Sequence, residues 1–224
     1  METAVSKWRG SDGTSEKVFH KIFIRRKPTE EHFTSWLSLW MIARSSPKKS
    51  RRRLRDALWK YSRELRGFKA GNSAAYNCVD HIANHLQRNH LANGRALSLV
   101  SKFAFTLNPL AFVPFDSRVR KALHKLGHPR LKSPYSYEIY MQCVNCELER
   151  FRISLVADPS ISRQLKSSMK EFHCDSSERK LLELRTVDKA LMLVGGFDPK
   201  RMREELKKLR IRLGKDRIRS LDSI

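Results

Sequence analysis

The chain has few acids for its bases, few cysteines and no long apolar run, and each shortage narrows what it can be. Aspartate and glutamate total 23 against 46 lysines and arginines, a formal net charge of +23. A compact fold with that excess repels itself, and a polyanionic partner is its simplest explanation. Nucleic acid is the leading class of partner, because neutralised phosphates release counterions that drive association. An anionic membrane surface comes second. No apolar run approaches the ~18 residues of a membrane span. Met1–Gly10 lacks the apolar core of a secretory signal. The expectation is an intracellular, cytoplasmic protein that does not insert into a membrane. Cys78, Cys143, Cys146 and Cys174 are then expected as thiols rather than disulfides. Strand-like alternation, low-complexity tracts and internal repeats are all absent. Hydrophobic residues still make up 40% of the chain, enough for a core.

What is present is helical periodicity, and the fold class it predicts is all-α. Residues 1–16 read as a loose arm, 17–214 as a single all-α domain and 215–224 as a basic tail. Thr29 caps a helix over 29–44, with Glu30 and Glu31 in its first turn and Phe33, Trp36, Leu37, Trp40 and Met41 at helical spacing. Those aromatics read as core, with a base-stacking platform as the alternative. After Ser45-Ser46-Pro47, a second helix starts in Lys48-Lys49-Ser50-Arg51-Arg52-Arg53-Leu54-Arg55. Its single-signed charge suits phosphate contact as well as it suits a solvated face. Further helices are expected over 74–90, through 96–107, from Asp116 to Gly127, from Pro134 to Arg152 with a start near Ser136 as the alternative, over 176–194 and over 200–213.

Two clusters invite a metal and neither spacing supports one. His81 and His85 share a helix face, but no third ligand accompanies them. Cys143-Val144-Asn145-Cys146 lies inside a helix, whereas a zinc pair of this spacing needs a tight turn and a second ligand pair. No metal site and no cofactor is expected.

The least polar stretch runs from Ala96 to Pro114 and ends on Phe115-Asp116. Asp116 stands where a helix N-cap belongs, able to accept the N–H of Arg118 or Val119. Amide donors and the positive end of a helix favour an ionised carboxylate. Such a charge can also stabilise an oxocarbenium-like sugar or orient a water, so cap and catalyst are compatible readings. Lys102 has two readings as well. It is a surface lysine with its stem along the helix, or a desolvated amine near the loop and Asp116 that attacks a sugar carbon.

The turn at Asn93-Gly94, the helix through Ser101-Lys102-Phe103 and the run Val113-Pro114-Phe115-Asp116-Ser117-Arg118-Val119-Arg120-Lys121 together resemble the helix-hairpin-helix DNA glycosylase superfamily. The resemblance covers 93–127. In that family a hairpin precedes a loop of the kind V-P-V-D-x-x-V-x-R, whose aspartate is catalytic, and Asp116 matches it. The resemblance implies a two-lobed helical fold with its hairpin at about 88–127, base flipping, and hydrolysis or lyase chemistry on a damaged or mismatched base. The family's hairpin usually reads L-P-G-x-G, where this chain has Leu91-Ala92-Asn93-Gly94-Arg95. Its lyase lysine lies early in the second hairpin helix, nearer Ser98 than Lys102. The iron–sulfur cysteines of some members are missing. DNA, in duplex form, is the expected partner, with RNA retained as an alternative. The residues expected to contact it are Asn93, Gly94 and Arg95, then Arg118, Arg120, Lys48, Lys49, Arg51, Arg52, Arg53 and Arg55. Two rivals stand beside this reading: a non-catalytic nucleic-acid-binding module, and an interaction protein whose basic faces bind RNA or an acidic protein.

Overall fold

A computed structural model describes residues 16–43, 48–93, 96–128, 136–171 and 178–196. The regular elements among them are all helical, as the periodicity requires. They are α1 (Glu16–Arg25), α2 (Glu30–Leu39), a 3-10 turn (Lys48–Ser50), α3 (Arg51–Lys60), α4 (Ser62–Gly67), α5 (Ser73–Arg88), α6 (Leu97–Leu107), α7 (Ser117–Lys125), α8 (Tyr137–Ala157), α9 (Pro159–Glu171) and α10 (Arg179–Val194). No described helix is long and apolar enough to cross a membrane. The described residues divide into two compact units between Pro114 and Phe115.

In the first unit α6 is the core. Every residue from Leu99 to Leu107 is buried, and α1, α4 and α5 pack on it. The aromatics of α2 belong to that core, not to a stacking platform. Trp36 lies 5.7 Å from Phe23 and 6.0 Å from Phe103, centroid to centroid. Its indole N–H donates to Thr106 Oγ1 at 2.8 Å, which meets the need of a buried polar tip. Glu16, which the sequence leaves in the arm, instead opens α1 and is buried; Phe19, Ile22 and Phe23 are that helix's inner face.

Helix ends explain where the expected segments break. Thr29 caps α2 by accepting from the His32 amide at 3.2 Å. The helix stops at Leu39, short of Arg44. Met41 takes φ 55°, and the N–H groups of Met41 and Ile42 donate back to Ser38 and Leu37, an αL termination made without glycine. The helix expected after Pro47 comes in two pieces separated by Tyr61. The last carbonyls of the second piece are taken by a distant side chain: Asn108 Nδ2 donates to Phe68 at 2.8 Å, Leu65 at 3.2 Å and Arg66 at 3.3 Å. Asn108 thus ends α6 and caps α4 at once.

In the second unit, α10 packs on α7 and α8, and α9 on α8. Ser136 caps α8, accepting from the Glu138 amide at 3.2 Å, and Asp158 accepts from the Ser160 amide at 2.8 Å ahead of Pro159. Leu181, Leu184, Val187 and Leu191 point inward as their spacing predicts. Leu182, Glu183, Arg185, Thr186, Asp188 and Lys189 are buried too, so α10 is enclosed on all sides there. The helix expected over 200–213 and the tail lie outside the described residues.

Candidate functional site

Asp116 enters α7 in an extended conformation, φ −131° and ψ 139°. Its Oδ1 accepts the Arg118 amide at 2.8 Å, so the cap forms with Arg118 rather than Val119. The residue is half-buried, and its capping hydrogen bond is exposed to solvent. The backbone beneath it is held by α8. The Phe115 ring lies 4.9 Å from that of Tyr140, which is stacked at 5.9 Å on Tyr137. The Asp116 backbone hydrogen-bonds the Tyr140 hydroxyl. Burial, and then the negative charges of Asp188 and Asp116 with Tyr137 nearby, push the Tyr140 phenol well above the usual tyrosine range; the Asp116 backbone bond acts the other way. Tyr140 is therefore a neutral strut under the acid.

The other side of the α7 start meets α10. A Cβ on Gly195 would fall 2.0 Å from the Arg118 carbonyl oxygen. Here glycine is needed for close approach, since its own φ is −76°; the next residue, Gly196, takes the positive φ of 90° that ends the helix. Lys125 donates to the Val194 carbonyl at 3.2 Å. Two to three turns back, Arg185 and Asp188 form a fully buried ion pair, with Lys189 Nζ 3.4 Å from the same carboxylate. Asp188 Oδ1 and Thr186 Oγ1 are buried without a hydrogen-bond partner. Glu183 is bridged by Arg179 at 3.0 Å and by Arg152 of α8 at 3.3 Å. Charges buried in this way must be paired, and truncating one partner costs about 3–5 kcal/mol.

Lys102 belongs to the first unit and is not a surface lysine. It is 7% exposed; its Nζ donates to the Trp40 carbonyl at 3.4 Å and lies 5.8 Å from the Trp40 ring centre. The αL turn at Met41 directs that carbonyl. A buried ammonium needs such partners, because an unpaired charge in an apolar interior is strongly disfavoured.

The basic residues sort by exposure. Lys49, Arg52, Arg53 and Arg118 are exposed, while Arg51 and Arg120 are half-buried. Arg55 donates to Asp56 Oδ1 at 2.9 Å, and Lys27 holds the same oxygen at 2.9 Å. Asn93 is exposed; Gly94, Arg95 and the Lys48 side chain lie outside the described residues.

Of the metal candidates read from spacing, the two histidines pack on an aromatic ring. His81 and His85 set their rings 6.3 and 6.0 Å from that of Tyr61. Cys143 is buried and Cys146 exposed. One group of metal-ligating side chains does converge among the described residues: His128, Cys146 and Glu147. Periodicity gives no sign of it, because His128 lies just beyond the end of α7. Tyr140 and Asp188 were missed for a related reason; on their own helices they read as ordinary inner and outer positions.

No protein-family model matches the chain, and no curated sequence or solved structure matches it.

Proposed function

We propose that the chain is a DNA-binding protein of the helix-hairpin-helix glycosylase kind, and that it hydrolyses an N-glycosidic bond on a flipped base with Asp116 as the acting carboxylate. The observation that carries this reading is Asp116, half-buried, with its carboxylate aligned by the Arg118 amide and its backbone underpinned by Tyr140. A fixed negative charge there stabilises an oxocarbenium-like sugar as the base departs, or orients the attacking water. The packed pair α5 and α6, joined through Asn93, Gly94 and Arg95, supports a backbone clamp on DNA. Lys49, Arg52, Arg53, Arg118 and Arg120 supply phosphate-facing charge. The Trp40 carbonyl that engages Lys102 supports hydrolysis over a Schiff-base route. The chemistry calls for no cofactor.

A second reading is favoured by the same hydrogen bond. A cap alone accounts for an aspartate at this position, and the chain is then a non-catalytic module binding DNA or RNA through its basic faces.

Duplexes carrying a panel of base lesions distinguish the two, with wild type compared against Asp116→Asn. Asparagine keeps the capping oxygen and removes the charge. Base release by the wild type is expected to fall by about 10²–10³-fold in the variant, with duplex affinity unchanged. Release that survives in the variant overturns the role given to Asp116. Salt-dependent binding without release supports the second reading. Affinity should fall with salt at a slope of about −0.9 per neutralised phosphate, and a flat salt profile sinks both readings.

A further inference from the structure

We propose that His128, Cys146 and Glu147 form a binding site for a single divalent cation of the zinc class, joining the end of α7 to the middle of α8. The site follows from how α7 ends. Leu126 closes the helix and Gly127 takes φ 87°. The N–H groups of Gly127 and His128 then donate back to His124 and Leu123, each at 3.1 Å. This paired return is the Schellman arrangement, and it leaves the residue after the glycine leading away from the helix. That residue is His128. Its Nε2 lies 2.8 Å from Glu147 Oε1 on α8. Cys146 precedes Glu147 on the same helix, and one ligand atom from each of the three lies within 4.8 Å of the other two.

An imidazole nitrogen, a thiolate sulfur and a carboxylate oxygen are donors zinc accepts, and three protein ligands leave the fourth tetrahedral position to water. Bonds of about 2.0–2.3 Å to such donors set neighbouring ligand atoms roughly 3.3–3.8 Å apart. The His128–Glu147 pair at 2.8 Å therefore opens by about half an ångström on binding, within reach of side-chain torsions. Thiolate and carboxylate together balance a divalent charge in an otherwise strongly basic chain. Arg150 Nη1, 2.6 Å from Glu147 Oε1, supplies the outer hydrogen bond that orients a ligating carboxylate. A histidine–glutamate ion pair explains two of the three residues. The Cys146 thiol, placed with that pair by the adjacent position on α8, completes a set of three different metal donors.

The test is titration of the full, chelator-treated chain with Zn(II), and with Co(II) as a coloured probe. One equivalent should bind, and the Co(II) form should show sulfur-to-metal charge-transfer absorption. Cys146→Ser should abolish that absorption, while His128→Gln and Glu147→Gln weaken binding. Cys143→Ser should leave it unchanged. Arg150→Ala should weaken it by about tenfold or more. Zn(II) should raise the melting temperature of the wild type and not of Cys146→Ser, whose own circular dichroism should match the wild type. Failure to bind one equivalent overturns the proposal. So does charge-transfer absorption that persists in Cys146→Ser, affinity unchanged in His128→Gln, or absorption lost in Cys143→Ser.

Discussion

Gly195→Ala tests how α10 holds the start of α7. The added Cβ would stand 2.0 Å from the Arg118 carbonyl oxygen, 2.6 Å from its carbon and 3.1 Å from its Cα. Real Cβ contacts essentially never fall under 3.0 Å, so the two backbones must part by roughly 1 Å. Neither yields easily. The Arg118 amide is engaged by Asp116 at 2.8 Å, Gly195 N–H donates to Leu191 at 2.9 Å, and Lys125 ties Val194 at 3.2 Å. Overpacking of this kind costs about 1–3 kcal/mol. Loosening the Asp116 cap adds up to about 1 kcal/mol. The expected loss is therefore about 1–4 kcal/mol, which lowers the urea midpoint by about 0.5–2 M at ordinary m-values. Gly196→Ala is the control. It has φ 90° and open space within 4 Å, so only left-handed strain of about 1–2 kcal/mol is expected. Hydrogen exchange over 117–125 and 179–194 should quicken more in Gly195→Ala than in Gly196→Ala. A Gly195→Ala protein within about 0.5 kcal/mol of wild type, or more stable than Gly196→Ala, refutes the close-approach argument.

Three further outcomes are expected. Asn108→Ala strips a donor from the Leu65, Arg66 and Phe68 carbonyls and should cost about 1–3 kcal/mol in a urea titration, with Asn108→Asp worse because it sets an acid against three acceptors. Met41→Gly relieves a left-handed residue whose side chain is 52% exposed, and should raise stability by about 1 kcal/mol in thermal melts; a loss would place the Met41 side chain in the core's service after all. His20 and His32 are both held below their ordinary value of 6.5, chiefly by burial. Their unfolded forms take up protons first as pH drops, so the stability they contribute is full above pH 6.5 and lost as pH falls through their lowered folded values. Melting temperatures that stay level from pH 7.5 to about 5.5 would contradict this.

The starts of α2 and α7 were legible because their signals are local, and that of α8 nearly so, whereas α1 opens at Glu16 without a mark in the sequence. Thr29, Asp116 and Ser136 each accept an amide two or three residues ahead, as their positions in the sequence require. Stops were legible where glycine marks them, at Gly127 and Gly196, and not at Met41 or His90, which take positive φ without that mark. The break at Tyr61 was hidden because the basic run and the apolar spacing continue through it. The second glycine of Gly195-Gly196 reads as a helix end; the first answers to the Arg118 carbonyl on another helix, and no local rule encodes that. The charges of α10 look like a solvated face by periodicity. They are buried because α7 and α8 both pack on that helix and Arg152 reaches Glu183 from α8. For the site, the cap geometry of Asp116 was readable, whereas its support by Tyr140 required knowing which helix lies beneath it.

Asn108 carries one more consequence, for the order in which the chain acquires structure. α4 has 6 residues, too few to hold itself as an isolated helix in water, where ~12–15 are marginal. Its last carbonyls wait for an amide that follows Phe68 by 40 residues. During synthesis, the ribosome must deliver α5 and α6 before that amide exists. α4 therefore gains its C-terminal cap only once the chain reaches Asn108, and a nascent chain halted short of that residue leaves α4 open-ended.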